Sequence, residues 1–252
     1  MDYDQTAIPA AYDTGRDYSS SARNDWLNII RESAAGRPID NIVDLGCGTG
    51  RYSSILVECF DREVVAIDPS HDMLAIARAK AVPRISYQVG SAQKIPLPDD
   101  TMDLVFMSMV FHHIDDRQAA AFECARILRN DGLLCLRAMT ADRMDQYPFV
   151  PHFPESRHFL QSILDSMEEI KTIFGQEGLR LLEHQIVENQ VARNWSAFAD
   201  KIVDRPYSTL ARLTDEEFEY GLGRLREYAA QTAVDIAVTE PIDYFVFEKR
   251  AV

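Results

Sequence analysis

A glycine-rich segment, VDLGCGTGRY, carries the strongest chemical signal in the chain. Its three glycines, Gly46, Gly48 and Gly50, occupy every second position and follow an apolar run that includes Asp44. Glycine lets the backbone approach a ligand closely, and a turn of this kind between a strand and a helix often holds a nucleotide. We therefore expect a nucleotide or nucleoside to bind at this segment.

The residues around these glycines argue against a phosphate ligand. A dinucleotide-binding loop has glycine or alanine at the position of Arg51, and no Gly-Lys-Ser/Thr follows that would indicate a phosphate-binding P-loop. The carboxylate of Asp44 would repel a pyrophosphate, whereas it suits a ligand that carries an ammonium or a sulfonium. The segment therefore predicts a site for a nucleoside without phosphates.

Polar residues follow the next two apolar segments of the chain. Asp68 ends the segment VVAID, where its carboxylate can accept hydrogen bonds from both hydroxyls of a ribose, in dinucleotide and nucleoside sites alike. The alternative is that Asp68 only caps a helix that begins near Ser70. Ser91 and the backbone of Ala92 are placed to meet the edge of an adenine, although Ser91 could equally be a turn residue.

Elements that can position these residues recur along the chain. Short apolar segments rich in β-branched residues alternate with helical patterns, at residues 41–45, 63–67, 85–89, 103–109 and 133–138. This alternation predicts an α/β fold, a Rossmann-like doubly wound sheet with parallel strands and helices on both faces. The glycines then lie at the carboxyl edge of the sheet, where such folds bind ligands.

The flanking segments complete a single predicted domain. We divide it into an N-terminal arm and helix at residues 1–38, a core at 39–139, a lid loop or irregular connection at 140–160, and a helical insertion at 192–235. A helix is predicted over residues 159–174, and strands over 181–191 and 242–247, on either side of the insertion. Thr214 and Glu217 have the spacing of a capping box within that insertion.

Five ordered motifs, VDLGCGTG, VVAIDPS, GSAQKIPLPD, DLVFMSMVFHHI and RILRNDGLLCL, resemble those of class I S-adenosylmethionine-dependent methyltransferases. The resemblance covers residues 40–140 and is to the broad group similar to the ubiquinone and menaquinone biosynthesis enzymes. It implies S-adenosyl-L-methionine as cofactor and a seven-stranded, mostly parallel sheet whose last strand is antiparallel. Gln93 departs from the glutamate that many relatives carry there.

The resemblance also implies roles for individual residues. Asp44 and the three glycines would surround the methionine moiety of the cofactor, Asp68 would hold the ribose, and Ser91 with Ala92 would hold the adenine. Met107 would lie beside the methionine portion, or would be a core residue whose backbone alone touches the ligand.

Methyl transfer from a sulfonium is an in-line displacement, so the enzyme aligns a nucleophile and in some cases removes its proton. His112 and His113 are the candidate bases, since imidazole titrates near neutral pH. The alternative is that both histidines shape the loop after the fourth strand. His152 is a further candidate on the predicted lid.

Two further sets of residues have predicted binding roles. In the N-terminal arm, Arg16 would pair with the cofactor carboxylate and Tyr12 would cover the sulfonium, unless the arm is simply solvated. A second set is predicted to form an aromatic wall for the substrate: Tyr147, Phe149, His152, Phe153, Trp195 and Phe198. Core packing is the alternative for Trp195 and Phe198.

Composition limits the classes of partner. The formal net charge of −14 argues against nucleic acid, and apolar runs such as residues 104–111 are shorter than the roughly 20 residues of a membrane helix. The start of the sequence lacks the pattern of an export signal. Scattered cysteines, and the absence of a histidine and carboxylate set with ligand spacing, predict a cytoplasmic protein without a metal.

We therefore predict a methyltransferase that acts on an oxygen, nitrogen, sulfur or carbon atom of a small molecule. Two alternatives stay open: a nicotinamide-dependent oxidoreductase built on the same kind of sheet, and a protein that binds S-adenosylmethionine without catalysis. The sequence leaves the acceptor and the oligomeric state open.

Overall fold

The computed structural model of the 252-residue chain describes residues 20–250. Its strands are β1 Ile42–Leu45, β2 Val64–Asp68, β3 Ile85–Val89, β4 Met102–Ser108, β5 Leu128–Ala138, β6 Leu179–Ala192 and β7 Val238–Lys249. The α-helices are α1 Ser20–Ser33, α2 Arg51–Phe60, α3 His71–Ala79, α4 Arg117–Ile127, α5 Pro154–Ile163, α6 Met167–Gln176, α7 Trp195–Ile202 and α8 Asp215–Gln231. Short 3-10 helices span Phe111–His113, Ala141–Gln146 and Leu210–Arg212.

The strands form one seven-stranded sheet in the order β3-β2-β1-β4-β5-β7-β6. The pairs among β1 to β5 are parallel, and β7 runs antiparallel to both β5 and β6. The strand order reverses between β1 and β4, and folds of this type bind ligands in the crevice beyond the strand ends at such a point. The predicted fold class is confirmed, including the N-terminal helix and the helical insertion between β6 and β7.

The central strands are apolar because helices cover both of their faces. All four residues of β1 are buried, and alternate side chains enter two different cores. Val43 and Leu45 pack with α4 and α6 on one face, whereas Ile42 packs with α1 and α2 on the other. This double coverage holds the ends of β1 and β4 in place, and the candidate site lies there.

A separate group of buried side chains, which we call the cap cluster, packs around the helical insertion. Its members are Met139, Met144, Tyr147, Phe149, Val150, Phe153, Leu160, Leu164, Ala192, Phe198, Ala199, Ile202, Tyr207, Leu210, Phe218, Leu222, Leu225 and Val238. A Cβ added to Gly221 of α8 would lie 2.2 Å from the Phe153 ring, so α8 packs directly against that ring. Met109, which follows β4, packs against both the cap cluster and the core between the sheet and helices α1 and α2.

The prediction of one helix over residues 159–174 is wrong, because the structure has two. Helix α5 ends at Ile163, and Ser166 begins α6 with a capping box that it forms with Glu169. The Ser166 hydroxyl accepts from the Glu169 backbone N–H at 3.3 Å, and the Glu169 carboxylate accepts from the Ser166 N–H at 2.7 Å. The periodicity of apolar residues continues across this break, so the pattern alone did not reveal it.

The stretch predicted as a lid loop or irregular connection, residues 140–160, is largely packed. It contains the 3-10 helix Ala141–Gln146 and the first turns of α5, and its Tyr147 and Phe149 side chains are buried in the cap cluster. Its role as a lid stays a prediction. Within residues 20–250, no helix is both long enough and apolar enough to cross a membrane.

Candidate functional site

The glycine segment forms a tight loop between β1 and α2. The backbone N–H groups of Gly46 and Cys47 donate to the Ile67 carbonyl of β2, at 2.7 and 3.0 Å. Gly46 has a φ of 74°, and a Cβ placed on it would lie 2.5 Å from the Val110 side chain. Gly48 has a φ of 53°, and no atom lies within 4 Å of the place a Cβ would take. The loop therefore packs tightly at Gly46 and borders open space at Gly48.

This open space belongs to a cleft, which we call the loop cleft. Its lining comes from the glycine loop, the residues at and after the ends of β2, β3 and β4, and α3: Gly46, Gly48, Asp68, Pro69, Met73, Gly90, Ser91, Ala92, Gln93, Ser108, Met109, Val110, His113 and Ile114. Gly46, Gly48, Asp68, Ser91, Ala92 and His113, all predicted site residues, thus line one cleft.

Asp68 joins the glycine loop to the turn after β2. Its Oδ2 accepts from the Gly48 N–H at 2.8 Å and its Oδ1 from the Ser70 N–H at 2.9 Å. Ser70 itself caps α3, since its hydroxyl accepts from the Met73 N–H at 3.1 Å. The carboxylate of Asp68 therefore shapes the turn and also lines the loop cleft, and a carboxylate oxygen can accept more than one hydrogen bond.

Asp44 is the buried acid that precedes the loop. It is 1% exposed, and its Oδ2 accepts from the Ser53 hydroxyl at 2.6 Å. Its Oδ1 is buried without a hydrogen-bond partner among the described residues. Burial raises the pKa of Asp44 to about 7, the Ser53 hydrogen bond opposes this rise, and the charge of Asp68 adds to it.

An unsatisfied buried carboxylate oxygen is costly, and a bound cation would relieve that cost. Asp44 lies two residues before Gly46, which lines the loop cleft. The residues present therefore fit a nucleoside with an ammonium or sulfonium on its 5′ side, which is the chemistry of S-adenosylmethionine. No described residue offers such a cation to Oδ1 of Asp44.

The turn after β3 closes the far side of the loop cleft. The Gly90 N–H donates to the Asp68 carbonyl at 3.2 Å, and Ser91 forms an isolated antiparallel bridge with Lys94. Ser91 is therefore a turn residue and also part of the cleft wall, beside Ala92. Their contact with an adenine stays a prediction.

Three predicted cofactor residues, Asp44, Met107 and Gly50, lie outside the lining of the loop cleft. The Met107 side chain is buried in the sheet core, with its Sδ 4.0 Å from the Cys124 Sγ. The cleft is instead lined by Ser108 and Met109, the next residues of the chain. Gly50 is the N-cap of α2 and has a φ of 77°.

His112 and His113 lie in the 3-10 helix after β4, with their ring centroids 4.1 Å apart. His113 lines the loop cleft, and its backbone N–H donates to the Val110 carbonyl at 2.8 Å. His112 lies outside the lining. Of the two predicted bases, His113 is therefore the one that borders the space for a ligand.

The predicted aromatic wall does not line the loop cleft. The rings of Tyr147, Phe149, Phe153 and Phe198 are at most 1% exposed and pack within the cap cluster. His152 is buried against Trp195 and Tyr228, with ring centroids 5.9 and 5.1 Å away. Burial, together with the Arg224 cation, lowers the pKa of His152. The packing gives these residues a structural role, and their contact with a substrate stays a prediction.

Two further predicted residues, Tyr12 and Arg16, lie outside the described residues. The sequence analysis missed Ser108, Met109 and Val110 as residues of the cleft wall. Their position was the available signal, because Ser108 ends β4 and the other two follow it, at the edge of the sheet where β1 and β2 end.

Comparison with known proteins finds methyltransferases among the similar sequences and folds. Residues 43–136 match the family model described as a methyltransferase domain. An uncharacterized methyltransferase of Mycobacterium tuberculosis is 39% identical over 132 residues, which are 52% of this chain and 50% of the relative. The ubiquinone/menaquinone biosynthesis C-methyltransferase UbiE of Rubrivivax gelatinosus is 32% identical over 137 residues, 54% of each chain. The chain thus spans about half the length of the curated relatives it matches.

Solved structures share the fold over most of the chain. A proposed methyltransferase from an antibiotic biosynthesis pathway of Anabaena variabilis has a TM-score of 0.75 at 21% identity, covering 91% of this chain and 100% of that one. A Haemonchus contortus N-methyltransferase in complex with S-adenosylhomocysteine has a TM-score of 0.60 at 18% identity, covering 90% and 53%. The fold is therefore a Rossmann-like methyltransferase fold.

These matches support the prediction, made from the five ordered motifs, of a class I S-adenosylmethionine-dependent methyltransferase. The cofactor of this family is S-adenosylmethionine, and the prediction of the cofactor is thereby confirmed.

Proposed function

We propose that the protein transfers the methyl group of S-adenosylmethionine to an oxygen, nitrogen, sulfur or carbon atom of a small-molecule metabolite. The observation that carries this proposal is the arrangement around the loop cleft: Asp44, a buried carboxylate with an unsatisfied oxygen, lies two residues before Gly46 of the cleft wall, and His113 borders the cleft. The first group suits the cationic end of the cofactor. The second would receive a proton from the acceptor.

The cofactor, when bound, supplies a methyl group on a positively charged sulfur. Asp68 would fix the ribose through further hydrogen bonds to its carboxylate, and Ser91 with Ala92 would border the adenine. Asp44 would bind the ammonium with its Oδ1. These three contacts orient the nucleoside along the ends of β1, β2 and β3, which is the main requirement for an in-line displacement.

His113 would act on the acceptor. Its imidazole would accept the proton that the acceptor's nucleophilic atom loses as that atom forms its bond to the methyl group. His112, whose ring is tilted by 52° to that of His113 with the centroids 4.1 Å apart, would hold the His113 ring in place. An acceptor that is already deprotonated would need only the alignment.

A small, partly apolar acceptor is supported by the charge and by the wall of the loop cleft. The net charge of −14 disfavours a polyanionic substrate such as a nucleic acid. Met109, Val110 and Ile114 add an apolar surface next to His113. The four free cysteines, each without a disulfide, support a reducing cytoplasmic location as part of the same proposal.

The first test is the binding of S-adenosylhomocysteine, measured by calorimetry on the wild type, Asp68→Ala and Asp72→Ala. Asp72 is an exposed acid in the first turn of α3 that lies outside the cleft lining, so its variant is the matched control. We expect Asp68→Ala to weaken binding by about 100-fold, which is roughly 2.7 kcal/mol and corresponds to the loss of two charge-assisted hydrogen bonds. The control should bind like the wild type.

No binding by the wild type would exclude the proposal, and equal binding by all three would exclude only the ribose contact. Radiolabelled cofactor with metabolite extracts would then identify the acceptor from its labelled product. Tight binding with negligible transfer to every acceptor would favour a protein that binds the cofactor without catalysis.

A further inference from the structure

Arg137 is a fully buried arginine on β5, close to the loop cleft. Its side chain is 0% exposed, and its Nη1 donates to the Ser108 hydroxyl at 2.6 Å. Its Nε is buried without a hydrogen-bond partner within residues 20–250, and no carboxylate of that part of the chain forms an ion pair with it. A buried guanidinium without a carboxylate is unusual, because no ion pair then offsets the free-energy cost of removing the charge from water.

Aromatic rings supply part of the compensation. The Arg137 guanidinium carbon lies 3.8 Å from the centroid of the Trp26 ring and 4.5 Å from that of Tyr52. Such contacts stabilise a cation and hold its plane in one orientation, but they leave its charge unneutralised. The positive potential at the end of β5 is thus available to an anion.

Ser108 connects this charge with the loop cleft. It is the register partner of Arg137 across β4 and β5, it is partly exposed, and it lines the cleft. Its hydroxyl oxygen accepts from Arg137, so its own O–H is left to donate to another acceptor. A hydroxyl polarised by a guanidinium is a stronger donor than an isolated serine.

Asp44 and Arg137 lie on the same face of the sheet. Asp44 accepts from Ser53 and Arg137 stacks on Tyr52, and both of these partners belong to the first turn of α2. In the register of β1 and β4, Asp44 lies opposite a β4 residue that is two positions before Ser108. Asp44 and Ser108 are therefore offset by about 7 Å along the strand direction. The ammonium and carboxylate of an amino acid, each joined to the protein by a hydrogen bond of about 2.8 Å, span a distance similar to this offset.

A negative group and a polarised donor at this separation match a zwitterion. We propose that Arg137, acting through the Ser108 hydroxyl, recognises the carboxylate at the methionine end of the cofactor, while Asp44 binds the ammonium. Arg137 is then a positioning residue, and Ser108 makes the contact. This inference rests on the proposed function and assigns to Arg137 and Ser108 the role predicted for Arg16.

The test compares two ligands by calorimetry. One is S-adenosylhomocysteine, and the other is its 3-aminopropyl analogue, which keeps the ammonium and lacks only the carboxylate. We expect the wild type to prefer S-adenosylhomocysteine by at least about tenfold, because the carboxylate accepts a charge-assisted hydrogen bond. Arg137→Gln and Ser108→Ala should lose most of that preference, with less than about a threefold change in affinity for the analogue.

Two further variants separate this role from simple packing. Arg137→Lys keeps a cation that can donate to Ser108 and should retain part of the preference. Asp44→Asn should instead weaken both ligands equally, since both carry the ammonium. If Arg137→Gln does not fold, as thermal melting would show, Ser108→Ala carries the comparison alone.

Equal weakening of both ligands by Arg137→Gln and Ser108→Ala would overturn the inference, because it would mark a purely structural role. It would also be overturned if Arg16→Gln abolished the preference while Arg137→Gln and Ser108→Ala kept it. A wild type that binds neither ligand would overturn the proposed function as well, whereas a wild type that binds both without preference would overturn this inference alone.

Discussion

In the loop cleft, backbone groups and small or acidic residues form much of the wall, whereas the cap cluster is a packed set of large apolar side chains. The glycine loop depends on φ angles and close approaches that few residue types permit, so its identity is visible as a motif. The cap cluster needs only volume and hydrophobicity, which many residue combinations supply.

This difference predicts that changes in the two regions will separate stability from ligand affinity. A substitution in the cap cluster should act mainly on the free energy of unfolding. A substitution beside the loop cleft should act on cofactor binding as well. The predictions below test this separation, from the largest expected effect to the smallest.

The largest effect is expected for Phe153→Ala in the cap cluster. The ring is fully buried between Phe218 and the α8 backbone at Gly221, so its loss should cost about 3–5 kcal/mol of the free energy of unfolding. Urea denaturation measures the loss, and calorimetry with S-adenosylhomocysteine should show less than a threefold change in affinity for the folded fraction. A tenfold or greater loss of affinity would break the separation.

A somewhat smaller effect on stability is expected for Gly46→Ala in the loop. The new Cβ would meet the Val110 side chain at 2.5 Å, and the φ of 74° is unfavourable for alanine, so unfolding should become easier by about 2–4 kcal/mol. Val110 lines the loop cleft, so cofactor affinity should fall as well.

The control for this loop variant is Gly223→Ala. Gly223 is exposed on α8, and no atom lies within 4 Å of the place its Cβ would take, so alanine there should be neutral or should stabilise by up to about 1 kcal/mol. Unchanged cofactor affinity in Gly46→Ala would show that the tight packing of the loop is not needed for binding.

The smallest effect is a pH dependence of binding that arises from Asp44. With a pKa of about 7, the carboxyl is mostly protonated at pH 6 and mostly ionised at pH 8, and only the ionised form attracts an ammonium. Affinity for S-adenosylhomocysteine should therefore rise by up to about tenfold between these pH values. Asp44→Asn should abolish the dependence, and a pH profile shared by wild type and variant would assign it to another group.

The raised pKa of Asp44 makes the stability of the fold change with pH in the opposite direction. The folded chain holds the Asp44 proton more tightly than the unfolded chain, whose carboxyl titrates near 3.8. The contribution of Asp44 to the free energy of unfolding should therefore fall as the pH rises from about 4 to above 7. Bound cofactor should reduce this fall, because its ammonium favours the ionised form.

The sheet and the cofactor class could be read from the sequence because each depends on local patterns. Alternating strands and helices imply parallel pairing, and the glycines with Asp44 restrict the ligand to one that suits a carboxylate. The break between α5 and α6 was missed, since the capping box at Ser166 interrupts the helix while the apolar period continues through it. The sequence could not separate core packing from a substrate wall for the aromatic residues of the cap cluster, because a buried ring and a pocket ring look alike in a sequence.

The sequence by itself determined the order of the elements, the loop and the resemblance to a family, because these follow from nearest-neighbour chemistry along the chain. Only the tertiary structure decided that Asp44 keeps an unsatisfied oxygen, that Ser108 and not Met107 borders the loop cleft, and that Arg137 lies buried beside it. These properties depend on which side chains from distant segments meet and which polar atoms they leave without a partner, and no local pattern encodes that balance.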